Sequence, residues 1–204
     1  MNIGGSLTYL FQTEDESLVR RLGFGGMMVV GSIGVVPFIA LMGYFTRIVR
    51  DAPETPPPIT RELLYDGGRP SLVAVVYTII HSLPFIAVAY YLSDYFGVIF
   101  YAFLISYLYI LPAILVATMT SDGWFDIDEF TSLLFDGEHA TIVVILLTSM
   151  IIAGFVLGIV HIITPGQSEI GFLVTLPLTS FWVGTFISRL YSEICDDTPR
   201  LVQS

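Results

Sequence analysis

The chain has 204 residues, of which 54% are hydrophobic and 13% charged, against roughly 45–50% and about 25% in soluble globular domains. That is too little polar surface to coat a soluble body, so a soluble enzyme is excluded and lipid bilayer is the expected solvent. With 18 acidic residues, eight basic ones and a formal charge of −10, nucleic acid is excluded as a partner.

All eight basic residues are Arg, and Lys is absent. Membrane proteins usually collect Lys and Arg in short cytoplasmic loops, whereas the loops here are acidic. A high acid load keeps surfaces hydrated, and concentrated salt screens its self-repulsion. The composition therefore reads as that of a salt-loving host. The single cysteine, Cys195, permits no intrachain disulfide and reads as a tolerated small residue.

Met1 to Leu22 is polar with apolar punctuation, and Leu7, Leu10 and Phe11 share a helical face by their spacing. It lacks the basic and apolar regions of a cleaved signal peptide and is expected to lie on the membrane surface. Residues 24–49 form the first long apolar stretch, crowded with Gly25, Gly26, Gly31 and Gly34 and carrying Pro37. About 20 residues cross the hydrocarbon, so it can span with a kink, or it can turn back near Gly34 to Pro37 as a re-entrant hairpin. Pro53, Pro56, Pro57 and Pro58 then make a stiff, non-helical linker.

Pro70 to Leu92 and Val98 to Met119 are two further spans, separated only by Ser93 to Gly97, and so form an antiparallel hairpin. Tyr90, Tyr91, Tyr95 and Tyr101 flank its tip as an interfacial aromatic belt. The connection Ser121 to Glu138 is acidic. Ala140 to Ile163 and Ile170 to Leu190 are the last two spans, and 191–204 is a polar tail. The expected fold is therefore all-α: a polytopic bundle of four full transmembrane helices plus the N-terminal re-entrant or kinked segment, with short amphipathic interfacial helices. It makes a single membrane domain, because no loop is long enough to bury a core of its own.

A weak internal two-helix repeat runs through it. Leu63-Leu64-Tyr65-Asp66-Gly67 matches Leu133-Leu134-Phe135-Asp136-Gly137 at an offset of seventy, and Thr78 falls on Thr148. Repeat units of 59–119 and 127–190 follow, each with two apolar segments and a proline in the second, Pro112 and Pro177. In each copy, Asp then Gly is expected to break the chain just before it enters lipid.

Arginine counting gives the topology. If residues 24–49 span, Arg20 and Arg21 lie opposite the other six; if they re-enter, all eight share one side, which the positive-inside bias favours. Either way loops 50–69 and 120–138 and the C-terminus are expected in the cytoplasm, with the protein multi-pass in the cell membrane.

His81 is the one ionisable residue well inside a span, three residues before Pro84. Intramembrane ionisable groups are functional candidates, and the alternative is a structural role beside the carbonyl that Pro84 frees. His139 and His161 lie near helix ends and read as interfacial. Asp66 and Asp136 are candidates for a paired carboxylate site, against the plainer reading of two helix-boundary turns. Asp122, Asp126, Asp128 and Glu129 lack the glycine and terminal glutamate of a calcium loop. Neither a phosphate loop nor a zinc or serine-hydrolase signature is present, so no cofactor and no catalytic residue is expected. Gly154/Gly158 and Ser180/Gly184/Ser188 are small-residue faces for close helix packing, within the bundle or in a homodimer.

Leu7 to Phe11, Gly25-Gly26, Gly43-Tyr44 leading to Arg47, the proline linker and Leu63-Leu64-Tyr65-Asp66-Gly67 together resemble an archaeal membrane family, domain of unknown function 4013, common in haloarchaea. The likeness is clearest over Met1 to Tyr77. Members usually carry a Trp and further acidic residues before the Asp-Gly, where this chain has Ile59-Thr60-Arg61-Glu62. The resemblance implies a haloarchaeal membrane protein and supplies no site residues. The expected role is a non-enzymatic scaffold, assembly or regulatory component, with a membrane protein or a second copy as partner. The alternative is a small transporter or channel using the bundle interior around His81.

Overall fold

Glycine dictates the first break. The run from Gly31 to Gly34 ends one helix and starts another, so the computed structural model divides the first apolar stretch into two helices of 17 residues each. The structure describes residues 1–12, 15–32, 34–163 and 168–201; side chains at 15–17, 93, 156–157, 160–163, 168–174 and 196–201 are outside the description. The described chain is all-helical. In order come α1 (Ile3–Thr8), a 3-10 turn (Tyr9–Phe11), α2 (Asp15–Gly31), α3 (Val35–Asp51), α4 (Leu63–Tyr91), a second 3-10 turn (Ser93–Tyr95), α5 (Phe96–Thr120), α6 (Ile127–Leu134), α7 (Gly137–Ile163) and α8 (Ser168–Leu201).

Three of these, α4, α5 and α7 over Gly137–Phe155, are long and apolar enough to cross a membrane. Four had been expected. The fourth expected segment, 170–190, lies within α8, whose first side chains are outside the description.

At about 1.5 Å per residue, α2 and α3 are each about 25 Å long, short of the roughly 30 Å hydrocarbon. They fold back on one another: Arg20 and Arg21 on α2 share a cavity wall with Pro58 and Ile59, which follow α3. Ala52, with φ of 42°, takes the left-handed conformation that ends α3, and the prolines after it stay non-helical.

Helices α3 and α4 cross backbone to backbone. A Cβ on Gly43 would overlap the Leu63 carbonyl, and one on Gly67 would overlap the Ile39 carbonyl and crowd the Gly43 amide. Only glycine at both positions allows the two backbones to touch. Around this crossing Tyr9, Leu10, Leu41, Tyr44, Ile48, Leu63 and Phe181 form one buried cluster. A second, with Ala113, Val116, Ile142, Phe186 and Leu190 among its members, joins α5, α7 and α8. Both clusters lie at the end of the molecule that carries the connections 52–62 and 121–126, whereas the far halves of α4, α5 and α7 expose Ile80, Leu83, Ile86, Ile105, Ile151 and Phe155.

Several expectations need correction. Asp66-Gly67 is no break: α4 runs through it, because Gly67 is seated on α3. Asp136-Gly137 does mark a boundary, between α6 and α7. The two copies still agree at their first leucine and their aromatic ring. Leu63 and Leu133 are buried, while Tyr65 and Phe135 are 88% and 85% exposed. Thr78 and Thr148 each donate to the carbonyl four residues back. The apolar residues of the N-terminal segment divide: Leu10 is buried with Tyr9, and Leu7 and Phe11 are exposed, because the chain tightens into a 3-10 turn there. The polar tail begins late, since α8 continues past Leu190 and buries Tyr191, Ser192 and Ile194.

Candidate functional site

The α3–α4 crossing brings two charged helix ends together. Arg47 Nε donates to Asp66 Oδ2 at 2.7 Å and its Nη2 to Glu62 Oε2 at 3.0 Å, while Arg50 Nη1 lies 3.7 Å from Asp66 Oδ1. The Arg47 and Asp66 side chains are only 18% and 19% exposed, so this is a clamp of charge-assisted bonds rather than a solvated pair. Asp66 also sits in the first turn of α4, where a negative charge meets the positive helix end.

Asp136 works elsewhere. Its Oδ1 accepts from the Glu138 amide at 3.0 Å, capping α7. Asp66 and Asp136 thus secure different helices, and no described bond joins them. Among the described residues, no group of three or more His, Cys, Asp or Glu is placed to hold a metal ion.

The acidic connection is likewise taken up by capping. Asp126 Oδ1 accepts from the amides of Asp128 and Glu129, both at 3.0 Å, and starts α6. Glu129 accepts from the Thr120 hydroxyl and, at 3.8 Å, from the Cys195 thiol. Burial, with Glu129 beside it, pushes the Cys195 thiol up to about 12.

Sequence reasoning missed three groups at this end. Arg69 donates to the Thr118 and Ser121 carbonyls, closing the C-terminus of α5. Arg189 donates to the Pro53 carbonyl at 3.3 Å, and its guanidinium carbon stands 5.0 Å from the centre of the Tyr9 ring. His139, expected at the interface, is fully buried. Its Nε2 bonds the Tyr109 carbonyl at 3.0 Å and its Nδ1 the Tyr191 hydroxyl at 2.9 Å. A carbonyl only accepts, so Nε2 carries the proton and, in the neutral ring, Nδ1 accepts from Tyr191. Nothing in the local sequence signals this, because both partners come from other helices. The His161 side chain is outside the description.

His81 sits midway along the α4–α5 hairpin in an aromatic box. Its ring centre is 5.2 Å from that of Tyr77, 4.9 Å from Phe103 and 5.7 Å from Tyr107. Nδ1 meets the Tyr77 hydroxyl and Nε2 the Ser106 hydroxyl, each at 3.2 Å. Ser106 spends its one proton on the Phe103 carbonyl, so His81 Nε2–H donates to Ser106 and Nδ1 accepts from Tyr77. The ring is therefore held by side-chain hydroxyls, not by the backbone near Pro84. Beside it Thr78 Oγ1 and the Tyr107 hydroxyl are 2.9 Å apart.

The small-residue faces divide. A Cβ on Gly184 would press on the Phe45 ring at 2.5 Å, so that face is packed on α3; one on Gly154 or Gly158 meets nothing within 4 Å. An open apolar cavity of about 550 Å³ lies where α3 meets α4, lined by Val35, Phe38, Ile39, Leu72 and Val75. Compared with family models, with curated proteins and with solved structures, the chain matches none. Its chemistry is therefore read from its own geometry.

Proposed function

We propose that this is a multi-pass membrane component that acts by assembling with another protein, as a scaffold, assembly factor or regulator. The observation that carries the reading is the division of the molecule into two unlike halves. Its charged end is closed by caps, clamps and two buried clusters, and there Tyr65, Trp124 and Phe135 stand exposed. Among the described residues its far half offers exposed apolar helix surface on α4, α5 and α7, Ile80, Leu83, Ile105 and Ile151 included. The polar groups first considered as reactive are satisfied within the fold, which supports a structural part for Asp66, Asp136 and His81.

Residues 24–49 are, in this reading, a re-entrant hairpin. The return of α2 and α3 to the same end supports it, as does the arginine bias once Arg20 and Arg21 join the rest. Loops 50–69 and 120–138 then face the cytoplasm. The lysine-free, acid-rich composition supports a haloarchaeal source and the likeness, over Met1 to Tyr77, to the archaeal family named above.

The test is purification in mild detergent with carboxyl-directed cross-linking and mass spectrometry, since the chain offers no Lys to amine reagents. A second polypeptide or a second copy, joined through 50–69 or 120–138, is expected. A chain that stays strictly monomeric and uncross-linked overturns the proposal. The competing reading, a small transporter or channel, draws on the polar string of Tyr77, His81 and Ser106 at mid-span. Ion or proton flux into liposomes that vanishes in His81→Leu would favour it.

A further inference from the structure

The packed end holds buried donors that lack an acceptor. Among the described residues, the Tyr9 hydroxyl and Arg21 Nη1 are buried without a hydrogen-bond partner, and Tyr9 is 1% exposed; the buried Tyr44 hydroxyl beside them has the Thr185 hydroxyl to bond. They share one neighbourhood. Arg21 interacts electrostatically with both phenols, Arg189 with Tyr9, and the two phenols with each other, with the Thr185 hydroxyl beside Tyr44. Leaving such groups unpaired is costly, most of all where a charge is involved, so this place favours an incoming acceptor. Among the described residues, the carboxylates at this end are committed elsewhere: Glu62 and Asp66 to Arg47, and Glu193 to the Asn2 amide and the Ser6 hydroxyl.

Beside the cluster a cavity of about 270 Å³ opens between Arg20, Arg21, Phe24, Pro58 and Ile59. Two arginines lining one cavity and a phenolic O–H donor beside it match an anion with several oxygens, and Arg matches phosphate oxygens in pairs. Phe24, Pro58 and Ile59 give the mouth an apolar wall, and basic pockets between membrane helices take lipid headgroups.

We infer that Arg21, with Arg20 and the buried Tyr9 hydroxyl, forms a binding site for a phosphate group, supplied by an anionic phospholipid headgroup or by free phosphate. This site is independent of the assembly reading and would stand without it.

The test uses the full chain, delipidated in a neutral maltoside detergent. It is titrated separately with short-chain phosphatidylglycerol, short-chain phosphatidylcholine and inorganic phosphate, and read by native mass spectrometry and the shift in thermal unfolding. One saturable equivalent of phosphatidylglycerol is expected. Saturation by inorganic phosphate as well assigns the site to the free anion; saturation by the lipid alone assigns it to the headgroup. Arg21→Gln should weaken binding about ten-fold or more, the loss of a charge-assisted bond. Tyr9→Phe should weaken it about three-fold, the loss of a neutral one, while keeping the ring that packs. Arg61→Gln, in the exposed linker, should change nothing. Should Arg21→Gln not fold, Tyr9→Phe decides. Equal binding of phosphatidylcholine and phosphatidylglycerol, no saturable binding of either probe, or unaltered binding by Tyr9→Phe overturns the inference.

Discussion

Gly67 and Gly68 are sequence neighbours in α4 with opposite surroundings, and exchanging each for Ala tests the α3–α4 crossing directly. At Gly67 the added methyl would occupy the space of the Ile39 carbonyl and press on the Gly43 amide; at Gly68 it meets nothing within 4 Å. The obstacle at Gly67 is backbone on a facing helix, which no rotamer change relieves, so the helices must separate. Overpacking costs about 1–3 kcal/mol in ordinary cores, and a backbone collision belongs at the upper end, about 3 kcal/mol. Separation also lengthens the 2.7 Å Arg47–Asp66 bond one turn away. Gly68→Ala should instead stabilise by about 0.5–1 kcal/mol, the helix-propensity gain. Adjacent, chemically identical changes are thus expected to differ by about 4 kcal/mol. Unfolding in mixed micelles titrated with dodecyl sulfate and followed by circular dichroism measures the gap. Equal stability of the two variants would refute the crossing.

Three further outcomes follow from the clamps and caps. Asp136→Ala removes the cap of α7 and should cost about 1 kcal/mol, with hydrogen exchange rising over Gly137 to Thr141; unchanged exchange there would count against the cap. The Cys195 thiol, raised to about 12, stays protonated in the fold. It therefore adds stability that is complete below the ordinary thiol value of 9.0 and falls away as pH climbs toward 12. Maleimide labelling of folded protein at pH 8 should be slow, and fast once unfolded; rapid labelling of the folded chain would contradict the buried contact with Glu129. His81→Leu deprives Tyr77 and Ser106 of partners and should cost about 1–2 kcal/mol, with insertion and folded yield retained in a membrane-extraction assay. Loss of folded protein would show that the histidine does more than fill and satisfy the box.

Hydropathy and punctuation made the helical class readable. The apolar runs became α4, α5 and α7, the short tip between Leu92 and Gly97 became a tight turn, and the prolines at 56–58 stayed out of helix. What stayed hidden depends on pairs distant in sequence. Gly43 and Gly67 each look like ordinary helix glycines until their backbones are opposed. His139 looks interfacial because its neighbour is Glu138, yet its partners Tyr109 and Tyr191 come from other helices. Repetition misled for a related reason. Asp66 and Asp136 share a local pattern, but Gly67 is seated on the α3 backbone whereas a Cβ on Gly137 meets nothing within 4 Å, and α4 runs unbroken where the second copy divides two helices.

The concentration of packing at one end also bears on bilayer thickness. At about 1.5 Å per residue, the 29 residues of α4 and 25 of α5 reach about 43 and 37 Å, more than the roughly 30 Å of hydrocarbon. The rings of Phe85, Phe96, Phe100 and Phe103 tie the two helices into one arm near their tip. Such an arm can lean to follow a thinner or thicker lipid layer without disturbing the charged end, and so can register membrane thickness as tilt.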